Sequence, residues 1–113
     1  MSYRSRIVHA ALVAGLTSVA ALPTIAADAD AALALVEKSK CFDCHQVDRA
    51  KDGPAWKEVA KKYRGKPEAP EKLYKHATTR PMVKVNGNME EHAVLKSKNP
   101  SEIRNVIEWI LSL

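Results

Sequence analysis

Large aromatics are scarce in this 113-residue chain, which has one phenylalanine, two tryptophans and three tyrosines. A chain this short closes only a modest core from its own side chains and calls for a staple. Strand patterning is almost absent, which excludes an alternating βαβ architecture. There are two cysteines, and no second pair of Cys or His follows at close spacing, which excludes a structural zinc site. No lysine-rich stripe is interleaved with aromatics, so nucleic acid is not an expected partner. Apart from the N-terminus, no repeat or low-complexity segment appears. The one long apolar run, about Ile7 to Leu22, is too short to span a bilayer comfortably. It follows Arg4 and Arg6 and is closed by Pro23 and small residues, the layout of a cleaved secretory signal peptide. The expected division is therefore residues 1–27 as signal and 28–113 as one small domain, with no stable membrane insertion after cleavage. Removing the signal leaves 16 basic against 13 acidic side chains, a mild excess suited to steering onto an acidic partner.

What the chain does have is Cys41-Phe42-Asp43-Cys44-His45, which uses both cysteines in the order C-x-x-C-H. This is the pattern for covalent haem attachment. Two thiols three residues apart can add to the two vinyl groups on one porphyrin edge, and the next residue, His45, then lies under the iron as its proximal ligand. A thioredoxin-type pair would need an adjacent βαβ pattern, which is missing. The porphyrin would supply the staple as a large apolar disc around which short helices pack. Because such haem is attached outside the bacterial inner membrane, the motif and the signal peptide agree on a periplasmic location.

Helical patterning accounts for most of the remainder. Asp28 to Ser39 reads as a first helix with acidic residues in its first turn and Leu33, Val36 and Ala32 as its inward stripe. Gly53-Pro54 opens a second, with Trp56, Val59, Ala60 and Tyr63 at helical spacing and Gly65 as its stop. Pro70 to about Ala77 makes a short third helix. From Thr78 to Lys98 the pattern is irregular, with Pro81 and an Asn86-Gly87-Asn88 turn signal, and a loop is expected. Asn99 then reads as an N-cap followed by Pro100, and Ile103, Val106, Ile107, Ile110 and Leu111 give an amphipathic last helix. Trp109 lies at the margin of that stripe, placed to pack on the first helix or the haem edge.

These segments resemble the small bacterial class I cytochromes c. The resemblance is carried by CFDCH at 41–45, DGPAWKEVAKKYRG at 52–65 and IRNVIEWILSL at 103–113, and with the helix before the motif it covers most of the mature chain. It implies an all-α cytochrome c-like fold, three to four short helices wrapped around one haem c bound through two thioethers. It also implies that the carbonyl of Pro54 accepts a hydrogen bond from His45, fixing the imidazole and strengthening it as a donor to iron.

The family's usual sixth ligand, a methionine in a proline-rich loop of the form P-M-P-P, has no counterpart here. The distal candidates are His76, Met82, Met89 and His92. The family's short version of the loop places the ligand six or seven residues before the last helix, and His92 sits seven before Asn99, so position favours His92 over Met89 and Met82. His76, on the third helix, reads as a surface histidine. A methionine would raise the potential, whereas a second imidazole would lower it.

The expected function is that of a periplasmic monohaem electron carrier, not an enzyme, exchanging single electrons with larger redox proteins. Lys40, Lys57, Lys84, Lys96 and Lys98 are candidates to surround the haem edge and meet acidic docking patches. The alternatives are the haem-bearing subunit of an oxidoreductase complex and a gas-binding sensor, which needs an open sixth position.

Overall fold

The computed structural model describes Gly15, residues 18–21 and residues 25–113; most of the segment read as signal peptide lies outside the described residues. Helix α1, Ala29–Lys38, starts at Asp28, whose side chain accepts from the Ala31 amide at 3.0 Å. That bond satisfies one of the amides that a helix start leaves without a partner. Asp28 also clasps the last helix, α4, Pro100–Leu111. Its amide donates to Asn105 Oδ1 and its carbonyl accepts from Asn105 Nδ2, each at 2.8 Å. The two terminal helices are thereby fixed in register, and between them Ala32, Leu35 and Val36 bury against Ile103, Val106 and Ile110. Ala32 is fully buried, and its small side chain permits close approach.

Helix α4 also packs on α2, Trp56–Tyr63, and α3, Ala69–His76. Pro54 does not begin α2 as its sequence suggested: Ala55 is the N-cap, and Pro54 stays in the preceding loop, where its carbonyl is free for another partner. Trp109 is buried with its ring edge-on to Trp56, centroids 5.6 Å apart. Asn99 caps α4 as expected, its Oδ1 accepting from the Ser101 amide at 2.9 Å.

The segment expected to be an irregular loop is instead crossed by a β-hairpin. Strand β1, Met82–Val85, pairs antiparallel with β2, Asn88–Glu91, in a register that sets Met82 opposite Glu91 and Val85 opposite Asn88. Asn86 and Gly87 form the two-residue turn with φ of 49° and 88°. Two successive positive φ values define the turn whose twist matches a hairpin, and Asn-Gly is the pair best suited to it. The fold remains mostly helical, as the sequence suggested, with this ribbon added. The ribbon is anchored at its tip, where Asn86 Nδ2 donates to Asp52 Oδ1 at 3.1 Å. At its base the His92 amide donates to the Pro81 carbonyl at 2.8 Å and the Leu95 amide to Ala77 at 3.0 Å. The buried Ser39 hydroxyl accepts from the Lys96 amide at 2.8 Å, which ties the outgoing strand to the end of α1. Among the described residues no helix is long and apolar enough to cross a membrane.

Candidate functional site

The ribbon on one side and the loops around Cys41–Pro54 on the other enclose a cavity of about 680 Å³. Its floor is apolar, formed by Val36 of α1 and Val106, Ile107 and Ile110 of α4. Chain direction into the site is set by Lys40, which takes the left-handed conformation (φ 59°) directly after α1 and turns the backbone into a 3₁₀ turn over Cys41–Asp43. With three residues per turn, side chains at positions i and i+3 eclipse. Cys41 and Cys44 therefore share one side of the turn, and both line the cavity as free thiols. Burial pushes the Cys41 thiol above its usual range, and Asp43 and Cys44 push it in the same direction.

His45 is held from three sides. Its Nδ1 donates to the Pro54 carbonyl at 2.8 Å, which leaves Nε2 as the nitrogen with a free lone pair. Trp56 stacks on it, centroids 5.5 Å apart and planes 18° from parallel. Gly53 lies against the third side, its amide donating to the Cys44 carbonyl at 2.7 Å. A Cβ at residue 53 would sit 2.5 Å from His45 Cε1, closer than non-bonded carbon atoms come, so only glycine fits. Sequence pattern alone marks Gly53 as a helix opener and gives no sign of this contact.

Across the cavity stands His92. The ring centroids of His45 and His92 are 6.0 Å apart. Two metal–imidazole bonds of about 2.0 Å, with roughly 1 Å from nitrogen to centroid in each ring, also span ~6 Å, so the separation matches that of two rings sharing one metal ion. His92 Nδ1 is buried and has no hydrogen-bond partner among the described residues, a state that a folded chain rarely leaves uncompensated. Burial lowers the His92 pKa below the ordinary imidazole value, with the nearby His76 and His45 adding to the effect, so the ring favours its neutral, metal-binding form.

The two methionines point elsewhere. Met82 and Met89 lie on the hairpin with 56% and 60% of their surfaces exposed, and neither lines the cavity. His76 is exposed, as expected of a surface histidine, but it also lines the cavity, and its ring centroid is 4.3 Å from that of His92. Burial also lowers its pKa. Of the lysines singled out in the sequence, Lys40 and Lys84 line the cavity, Lys57 pairs with Asp48, and Lys96 and Lys98 border a separate shallow groove with Lys38. Lys62 and Lys72 join the cavity rim and were not anticipated. Lys62 could have been found from its place three residues after Val59 on α2, whereas Lys72 comes to the rim only through the packing of α3.

A cavity with an apolar floor, lined by two thiols three residues apart and by two imidazoles with centroids 6.0 Å apart, fits a covalently attached porphyrin. Residues 29–113 match the family model described as Cytochrome c. The chain belongs to the cytochrome c family. It is 36% identical over 92 residues to the cytochrome c-551 of Allochromatium vinosum, covering 80% of this chain and 94% of that protein. Among solved structures it is similar to the class 1 cytochrome MtoD of Sideroxydans lithotrophicus ES-1, with a TM-score of 0.73 and 47% identity over 77% of this chain and 97% of that one. Cytochrome c552 of Nitrosomonas europaea is more distant, with a TM-score of 0.58 and 26% identity over 72% of this chain and 98% of the other. The chain is thus a class I cytochrome c with a covalent haem c, and its role is to carry electrons to and from redox proteins, not to catalyse bond-making.

Proposed function

We propose that this cytochrome is a periplasmic single-haem shuttle whose iron is held between His45 and His92. The observation that carries the axial assignment is the 6.0 Å separation of the two rings across the cavity. In this reading Cys41 and Cys44 form the thioethers, and Pro54 fixes the tautomer and orientation of His45. A haem c bound here supplies a one-electron couple at its iron. The chain's own part is to exclude water with Val36, Ile107 and Ile110, and to hold both imidazoles in place before the electron arrives. Ligands held rigidly by Pro54 and the surrounding backbone keep reorganisation small, and paired imidazoles favour the ferric state over a thioether, which puts the carrier at the lower end of its family's potential range. Two facing rings also favour a carrier over a gas sensor, which needs an open position. Lys40, Lys62, Lys72 and Lys84 line the cavity beside Asp52, Glu58, Glu90 and Glu91, so these lysines are individual contacts for acidic patches of larger redox proteins, while the steering comes from the chain's net positive charge. The location rests on Arg4, Arg6 and the apolar run behind them, with cleavage before Asp28.

Two measurements test this reading. Mass spectrometry of the protein recovered from a periplasmic fraction should give a chain starting near Ala27 or Asp28 plus the mass of one haem; a chain that retains Met1 contradicts export with cleavage. The doubly substituted Met82→Ala/Met89→Ala protein should keep the low-spin ferric spectrum of the wild type. Loss of that spectrum would move the iron to a methionine.

A further inference from the structure

His76 has no assigned role, yet it is placed as no ordinary surface histidine is. It is the last residue of α3, its ring centroid is 4.3 Å from that of His92, and it lines the same cavity. His92 Nδ1 has no hydrogen-bond partner among the described residues, and the backbone at Ala93 is the one protein group that favours the ring's proton, so little holds His92 in place. The backbone around them is held independently of both side chains. His92 N–Pro81 O at 2.8 Å and Leu95 N–Ala77 O at 3.0 Å fasten the end of α3 to the outgoing strand, and both bonds survive truncation of either histidine at Cβ. A side chain at a helix end with one face in solvent can change χ1 rotamer, which displaces a ring by several ångströms. Removing His92's ring opens the space that such a change in His76 would enter.

We infer that His76 is a reserve distal ligand, able to take the position facing His45 when His92 leaves it. The inference rests on the assignment of His92 as the resident ligand. The exchange substitutes one neutral imidazole nitrogen for another on the same metal: one coordinate bond breaks, an equivalent one forms, and no electron or proton is transferred. The consequence for the carrier is that the sixth position stays closed to small ligands even when His92 is displaced.

The test uses four haem-loaded proteins: wild type, His76→Ala, His92→Ala and the double variant. Each is examined by ferric absorption and electron paramagnetic resonance and by the rate of CO binding to the ferrous form. The covalent thioethers retain the haem in every variant. His76→Ala should match the wild type in all three. His92→Ala should remain six-coordinate and low-spin with altered g-values, because the replacing ring comes from another element. Only the double variant should become high-spin and bind CO rapidly. A high-spin His92→Ala protein indistinguishable from the double variant overturns the inference and leaves the resident assignment intact. Conversion of the single His76→Ala variant, or a low-spin double variant, overturns the His92 assignment itself. Should His92→Ala fail to accumulate, His92→Asn, which also removes the imidazole, is read in the same way.

Discussion

Replacing Gly53 by alanine puts a methyl group where the structure leaves no room. The added Cβ would lie 2.5 Å from His45 Cε1 and 2.9 Å from both ring nitrogens. Ordinary contact requires about 3.5 Å, so the ring must withdraw by roughly 1 Å, or the Gly53-Pro54 backbone must yield by as much. Either motion stretches the 2.8 Å bond from His45 Nδ1 to the Pro54 carbonyl. Overpacking of this kind costs about 1–3 kcal/mol, which in a domain of this size lowers Tm by at least about 4 °C. The electronic effect has a definite sign. The Pro54 carbonyl raises the basicity of the imidazole and so favours ferric iron; weakening the bond raises the potential. A loss of about 1 kcal/mol from the ferric state alone corresponds to about 40 mV for a one-electron couple. Spectroelectrochemical titration and thermal melting of the variant measure both quantities. Gly65→Ala serves as the control: with φ of 74° and nothing within 4 Å, it strains the backbone without approaching the site, so it should lower Tm and leave the potential alone. A Gly53→Ala protein with wild-type potential and melting temperature would refute the close-contact reasoning.

Asn99→Ala removes the cap on Ser101, and should cost about 1 kcal/mol, seen as a fall of about 4–8 °C in Tm with an unchanged spectrum. Trp109→Ala empties a site that is 7% exposed beneath Trp56, and a loss of about 3–5 kcal/mol in denaturant titration is expected; a cost under about 1 kcal/mol would show that the edge-on contact does not support the core. Oxidation of the ferrous protein by ferricyanide, an anion, should slow as salt is raised, by up to about tenfold over the range in which the Debye length shrinks from about 30 to 10 Å. Lys72→Glu at the cavity rim should reduce that dependence, and a rate indifferent to salt would remove the electrostatic role given to the rim lysines.

Much of this arrangement is legible in the sequence because it rests on local rules. Cys41 to His45 carry their spacing with them, and the start of α4 follows from Asn99 and Pro100 with the i, i+3, i+4 apolar pattern behind them. The hairpin was harder to see. Asn86-Gly87 marks its turn, but Asn88-Met89-Glu90-Glu91 shows no alternation of apolar and polar residues, since β2 is exposed along its whole length. What stabilises the ribbon is tertiary: Asn86 on Asp52, and Ala77 on Leu95. The same long-range bonds bring His76 against His92, sixteen positions apart in sequence, where helix periodicity says nothing. Sequence position places Gly53 ahead of a helix, whereas in the structure it makes room for the ring of His45.

The most direct test of the central claim is the ferric spectrum of the wild-type protein at neutral pH, extended into the near infrared and paired with electron paramagnetic resonance. Iron held between His45 and His92 gives a low-spin signal without the weak near-red band of sulfur-to-iron charge transfer. Presence of that band would place Met82 or Met89 on the iron, and a high-spin spectrum would show that His92 does not bind it; either result contradicts the account.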